Sequence, residues 1–127
     1  MQIYETIYIV KQDLDTKALK DLEEKYENLL KLKKATIEYK ENWGLRTLAY
    51  KIQNYKKGYY FMLVFNSDKE ALEELERNFR IDESVIRFLT TKIDHIPTEP
   101  TFIMKTKIEK ENSENMVNEV SLTSNES

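Results

Sequence analysis

The period of the hydrophobic positions switches repeatedly along the chain, and each switch marks an element. Residues 3–10, IYETIYIV, are dense in β-branched and aromatic side chains and read as a strand. Asp13 and Asp15 are helix-start signals, with Asp15 the better N-cap. Leu19, Leu22, Tyr26 and Leu29 then recur at helical spacing, Leu30 widening the stripe. This helix is expected to stop near Lys33-Lys34, where cations suit its negative end. Over residues 35–43 the pattern alternates. Ile37, Tyr39 and Trp43 fall on one face, Thr36, Glu38, Lys40 and Asn42 on the other, as in a half-exposed edge strand. The parity then shifts, because Leu48, Tyr50 and Ile52 are even-numbered. A bulge near Gly44-Leu45 accounts for that, glycine tolerating the backbone angles required.

Residues 53–58, QNYKKG, read as a loop, and residues 59–65, YYFMLVF, as the most apolar strand. Ser67 with Glu70 three residues on resembles a capping box opening a second helix, whose stripe is Leu72, Leu75 and Phe79. Residues 84–93, SVIRFLTTKI, make the last strand. The order βαββαβ predicts an α+β, ferredoxin-like split βαβ fold. It has a four-stranded antiparallel sheet, the first and third strands central, with two helices on one face. From Pro97 the sequence turns Asn-, Ser- and Glu-rich. Two regions are therefore expected, a domain over 1–96 and an acidic, disordered tail over 97–127.

Both central strands are apolar on both faces. Ile3, Ile7 and Ile9 alternate with Tyr4, Tyr8 and Val10; Tyr59, Phe61, Leu63 and Phe65 alternate with Tyr60, Met62 and Val64. Two helices cover one face only. The other leaves large side chains wet, forgoing about 1.5–3 kcal/mol of burial each, unless something docks there. Tyrosine hydroxyls and lysine stems offer a simpler way of keeping such a face soluble.

Charge sharpens the picture. The formal net charge of −3 over 127 residues hides an uneven split. Residues 1–96 hold 17 Lys+Arg and 17 Asp+Glu, so the tail carries the whole excess. Residues 44–58 contain Arg46, Lys51, Lys56 and Lys57 with no acid, interleaved with Tyr50, Tyr55 and, next along, Tyr59. Such a window suits phosphates and bases, although an ordinary solvated loop has the same composition. The run Lys31, Lys33, Lys34 reads as helix-end compensation.

Catalysis finds little footing. With no cysteine there is no thiolate, and one histidine, His95 beside Asp94, makes no metal constellation. Two distant glycines form no phosphate-cradling loop. Glu23-Glu24 and Glu73-Glu74-Glu76 read as solvated helix faces. No enzyme activity, cofactor, metal or small-molecule substrate is expected. No apolar run spans a membrane and MQIYETIYIVKQ has no targeting pattern, so a cytoplasmic protein is the expectation.

Trp43-Gly44-Leu45-Arg46-Thr47-Leu48-Ala49-Tyr50-Lys51-Ile52, followed by Lys57-Gly58-Tyr59, resembles the central signature of the bacterial small-subunit ribosomal protein six family. Tyr4-Glu5 matches that family's start, and Arg80-Ile81 through Val85-Ile86-Arg87 its second-helix exit and last strand. The resemblance covers about residues 1–94. It implies a structural, ribosome-bound constituent of the small subunit that binds the central domain of small-subunit ribosomal RNA together with ribosomal protein eighteen. On that basis Arg46, Lys51, Lys56, Lys57, Arg80, Arg87 and Lys92 are candidates for RNA contact, the last three extending the patch around the sheet edge. Trp43, Leu48, Tyr50 and Tyr60 are candidates for partner-protein contact, with plain core packing the alternative. The rival reading is an RNA-recognition motif binding single strands. Lys57-Gly58-Tyr59-Tyr60-Phe61-Met62 partly matches its third-strand signature and Ile7-Tyr8-Ile9 its first. Tyr60, however, stands where that motif wants Gly or Ala.

Overall fold

A computed structural model describes residues 1–96. The elements are β1 (Gln2–Lys11), α1 (Thr16–Leu32), β2 (Thr36–Ile52), β3 (Tyr55–Ser67), α2 (Lys69–Ile81) and β4 (Val85–Ile93). The strands form one antiparallel sheet in the order β2-β3-β1-β4, so β1 and β3 are central as the pattern implied. The tail expected over 97–127 lies outside the described residues.

Helix-face packing follows from strand alternation. Tyr4, Tyr8 and Val10 of β1 line up with Phe61, Leu63 and Phe65 of β3 in one buried cluster. Leu22, Tyr26 and Leu30 of α1 and Ala71, Leu75 and Phe79 of α2 close over them. Rings dominate the centre. Tyr8 lies 5.2 Å from Phe61 and 4.9 Å from Phe79, and Phe79 lies 4.7 Å from Tyr26 and 5.1 Å from Phe88. Thr6, fully buried, shares a hydrogen bond of 2.8 Å with the Thr90 hydroxyl, so its polar atom is satisfied. The Tyr8 hydroxyl is buried with no partner, and burial pushes its pKa up.

Both helices begin on an aspartate. Asp15 accepts from the Ala18 N–H at 2.8 Å, as expected. At α2 the capping residue is Asp68, accepting from Ala71 N–H at 3.0 Å, and not Ser67. Ser67 is buried as the last residue of β3, its hydroxyl donating to the Asp68 carbonyl. Aspartate one residue on offers an ionised acceptor to the positive helix end, and pairing with β1 keeps Ser67 in the sheet. α1 ends in a Schellman motif: Ala35 N–H donates to Leu30 O and Lys34 N–H to Lys31 O, both at 2.9 Å, with Lys34 at φ 65°.

Two further expectations need correcting. Residues 55–58 are strand, not loop. Only Gln53 and Asn54 turn, at φ 52° and 71°, the pair of positive angles a two-residue type I′ hairpin demands. And Ile37 does not share a face with Tyr39 and Trp43. The register slips between Ile37 and Tyr39, so Ile37 faces the helices while Tyr39 and Trp43 face away. Glu38 is the unpaired residue that alternation alone does not reveal. The slip anticipated at Gly44 is present, between Asn42 and Gly44, with Gly44 at φ 77°.

The candidate interface on the open face of the sheet

β2 and β3 are 17 and 13 residues long against 10 and 9 for β1 and β4. The surplus hairpin curls over the face away from the helices. Leu48, Ile52 and Tyr55 from it pack on Ile9, Ile86 and Tyr60. Gly58 sits where this happens, and a Cβ there would lie 2.5 Å from Ile9 Cγ2. Nearer the start of β2, Trp43 stacks on Tyr60 at 6.0 Å and, with Tyr39, covers Met62 and Val64. Trp43 Nε1 donates to Glu41 at 2.7 Å and the Tyr39 hydroxyl donates to the same carboxylate. Burial and that hydrogen bond push the Tyr39 phenol up to about 12. The second face is therefore not bare, contrary to the simple two-layer expectation: Met62 and Val64 are 1% and 0% exposed.

What remains uncovered is a groove of about 260 Å³ between the curled hairpin and β4. Its floor is Ile7 and Ile9, its hairpin wall Leu48, Tyr50 and Ile52, and its β4 wall Arg87 and Leu89. Leu89 and Tyr50, 65% and 63% exposed, stand on its two walls, so their exposed surface joins that of the apolar floor in one patch. Arg87 Nη1 donates to the Tyr50 hydroxyl at 2.9 Å, bridging the groove. Burial raises the Tyr60 phenol, and Arg46 and Arg87 both lie close enough to reduce that rise without cancelling it.

These positions sort the candidate residues. Arg46 and Arg87 converge at Tyr60, and Lys51, Lys56 and Lys57 stand exposed on the hairpin. Arg80 does not join them. It lies on α2, paired with Glu76 at 3.7 Å and set over the Phe88 ring, on the helix side of the sheet. Lys92 pairs in register with Tyr4 and also falls on the helix side of β4. The expectation of one patch wrapping the edge is thus corrected: β4 alternation sends Arg87 to the open face and keeps Arg80 and Lys92 away from it. Of the partner candidates, Tyr50 and Tyr60 line the groove, while Trp43 and Leu48 are 7% and 6% exposed and are held in the protein's own packing. Ile7, read in the sequence as part of the apolar alternation of β1, and Leu89 were not among the contact candidates. The signal was available, since both are apolar on the strand parity opposite to Tyr8 and Phe88.

The ion pairs are distributed just as unevenly. Lys17–Asp21, Lys25–Asp82, Lys40–Glu27, Arg77–Glu74 and Arg80–Glu76 each involve a helix or its end. Among the described residues none involves Arg46, Lys51, Lys56, Lys57, Arg87 or Lys92. No group of three or more His, Asp or Glu among those residues is placed to hold a metal ion. No described helix is long and apolar enough to cross a membrane.

Fold and surface together define a ferredoxin-like domain built around a cationic hairpin and a half-covered sheet. The family described as "Ribosomal protein S6" matches residues 3–92. The chain is 41% identical over 105 residues to the small ribosomal subunit protein bS6 of Rickettsia bellii (strain RML369-C), covering 83% of this chain and 88% of that one. The protein of the same name from Rickettsia prowazekii (strain Madrid E) is 43% identical over 105 residues, 83% and 87% of the two chains. A crystal structure of 30S ribosomal protein S6 from Thermotoga maritima superposes with a TM-score of 0.69 at 26% identity, covering 87% of this chain and 97% of that one. The chain belongs to the ribosomal protein S6 family of small-subunit structural proteins. Its relatives are ribosomal structural proteins, which are not enzymes.

Proposed function

We propose that this protein, bound to the ribosome in the cytoplasm, holds the central domain of small-subunit ribosomal RNA through the β2–β3 hairpin and the Arg87 edge, and seats ribosomal protein eighteen against the groove. The observation that carries the reading is the pairing pattern. Every ion pair involves a helix or its end, and Arg46, Lys51, Lys56 and Lys57 fall within residues 44–58, which hold no acid; with Arg87 they make no ion pair among the described residues. A cluster of like charges repels itself until phosphates replace its counterions, and release of those ions drives association. The neighbouring groove, apolar in its floor with Tyr50 and Tyr60 exposed or half-exposed, offers the contact area a protein partner needs. Arg80 and Lys92 enter this reading only as a separate contact from the helix side.

A single-strand reader of the RNA-recognition type fits less well. Such a domain stacks bases on the middle of its sheet, and here those positions are buried beneath Trp43 and Tyr39.

Binding of the full chain to a transcript of the central domain, with and without ribosomal protein eighteen, tests the proposal across a salt series. Replacing Lys51, Lys56 and Lys57 with Gln is expected to weaken binding about tenfold or more at moderate salt. The log–log salt slope should drop by roughly one for each phosphate that is no longer neutralised. An unchanged slope would remove the hairpin from the interface. Failure of the wild-type chain to sediment with small subunits at low salt would remove the ribosomal role.

A further inference from the structure

Arg87 and Tyr50 belong to two surfaces at once. Both line the groove, Arg87 on its β4 wall and Tyr50 on its hairpin wall. Arg87 Nη1 donates to the Tyr50 hydroxyl at 2.9 Å across the gap. The same arginine approaches Tyr60 together with Arg46, which sets it beside the cations of the hairpin. One hydrogen bond therefore joins the rim of an apolar groove to a patch suited to phosphate.

The chemistry of the pair sets what it can do. A guanidinium is a planar fork with several N–H donors, and the bridge uses one of them. The others remain for a phosphate, held in one orientation. An unbridged arginine is long and rotamer-rich, and a phosphate that captures it must also immobilise it. The bridge removes part of that cost, but only while it is formed. In the free protein both residues are exposed, so water competes for the donor and the acceptor. An apolar partner seated on Ile7, Ile9 and Leu89 excludes that water. A hydrogen bond to a charged group strengthens as its surroundings dry, and phosphate on the open side of the fork keeps the charge compensated.

We infer that the Arg87–Tyr50 bridge couples the two surfaces, with Tyr50 positioning Arg87 for phosphate once the groove is filled. The phosphate and the occupant come from the function proposed above, on which this coupling rests. Coupling of this kind is reciprocal: whatever factor a filled groove adds to RNA affinity, RNA adds to the affinity for the occupant. Its size has a ceiling. A bridge formed for roughly a third to a fifth of the time in the free protein contributes at most about three- to fivefold, because full closure removes only the open fraction.

Affinity of the full chain for the central-domain transcript, with and without saturating ribosomal protein eighteen, gives a coupling factor for each variant. Tyr50→Phe keeps the ring and deletes only the acceptor, and its factor should fall about three- to fivefold below that of the wild type. Arg87→Lys keeps the charge but not the fork and should lose about as much. The double variant should lose no more than either alone, since each breaks the same bridge. Lys57→Gln removes a hairpin cation that does not line the groove. It should bind the transcript more weakly yet retain the wild-type factor. No fall in Tyr50→Phe, additive losses in the double variant, or an equal fall in Lys57→Gln would each overturn the inference. A second readout needs no RNA. Water exchange of the Arg87 side-chain N–H protons, followed by NMR on the 15N-enriched chain, should slow when ribosomal protein eighteen is added to the wild type and not when it is added to Tyr50→Phe. Unchanged exchange in the wild type, or equal slowing in both, would overturn the inference as well. If the wild type binds no transcript, the function proposed above falls, and exchange alone decides whether groove and arginine are linked.

Discussion

The two faces of this sheet are built from the same kinds of residue and end in opposite states. On the helix face, Tyr8, Phe61, Phe79 and Tyr26 close a ring cluster. Around them Asp82 ties three elements together, accepting from the Tyr26 hydroxyl, from Lys25 at 3.2 Å and from the Ser84 N–H at 2.9 Å. On the open face the hairpin covers only part of the sheet, Leu89 and Tyr50 stay in water, and the cations lack carboxylate partners among the described residues. Stability and recognition are thus segregated to opposite sides of a sheet about one side chain thick. The ion pairs all involve a helix or its end, where acids and lysines are mixed, whereas residues 44–58 of the hairpin hold cations and no acid.

Exchanging one side chain on each face gives the largest expected contrast. Phe79→Ala empties the centre of the ring cluster and is expected to cost about 3–5 kcal/mol, read by denaturant unfolding. Leu89→Ala on the open face should change stability by less than about 0.5 kcal/mol while weakening capture of ribosomal protein eighteen. Comparable destabilisation by both would show that the open face belongs to the core.

Asp82 tests the internal satisfaction of charge. Burial raises its carboxyl, but hydrogen bonds from Tyr26, the Ser84 N–H and Lys25 outweigh burial and hold it below the ordinary value. Its contribution to stability is therefore present above the unfolded carboxylate range near 3.8 and lost as pH falls below it. Asp82→Asn should cost about 2 kcal/mol at neutral pH and flatten the acid limb of a stability profile. At the alkaline end the sign reverses. Tyr39 is raised from 10.0 to about 12, so the folded state keeps its proton while the unfolded chain loses it. That share of stability is complete below about 10 and disappears as pH rises toward 12. Tyr39→Phe should remove this alkaline sensitivity, measured by thermal unfolding across that range.

A smaller effect comes from the unpartnered hydroxyl at the middle of the helix face. Tyr8→Phe deletes a buried polar atom that makes no hydrogen bond and leaves the ring stacking intact. It is expected to stabilise by about 1 kcal/mol in denaturant unfolding. A drop in stability would mean that the phenol is satisfied by bound water.

Much of this division was legible in the sequence, for physical reasons that also explain the gaps. The strand and helix periods, the central place of β1 and β3 and the Gly44 slip all follow from local pattern, because side-chain direction is fixed by backbone geometry. The Glu38 slip was not visible. Nothing in its residue type demands a bulge, and only pairing with β3 shows that Ile37 and Tyr39 face opposite ways. The basic window was legible as charge, yet its isolation from carboxylates was not, since ion pairing depends on what the fold brings near. Arg80 and Arg87 look equivalent in sequence and lie on opposite sides of the sheet because Arg80 belongs to α2 and Arg87 pairs with Ile9 on the β4 parity that faces away from the helices.

The gentlest prediction concerns the end of α1. Lys34 occupies the left-handed position of the Schellman motif at φ 65°, where a Cβ crowds the following carbonyl at a cost of about 1–2 kcal/mol. Glycine avoids that cost but adds freedom to the unfolded chain, returning roughly 0.5–1 kcal/mol of the gain. Lys34→Gly should therefore stabilise by about 0.5–1 kcal/mol in denaturant unfolding. Lys34 lies across the fold from the hairpin, at the other end of β2, and makes no ion pair among the described residues. RNA affinity and its salt slope should stay unchanged if cations act through the hairpin and Arg87 alone. A shallower slope in this variant would mean that the helix side also meets phosphate, and the segregation of the two faces would no longer hold.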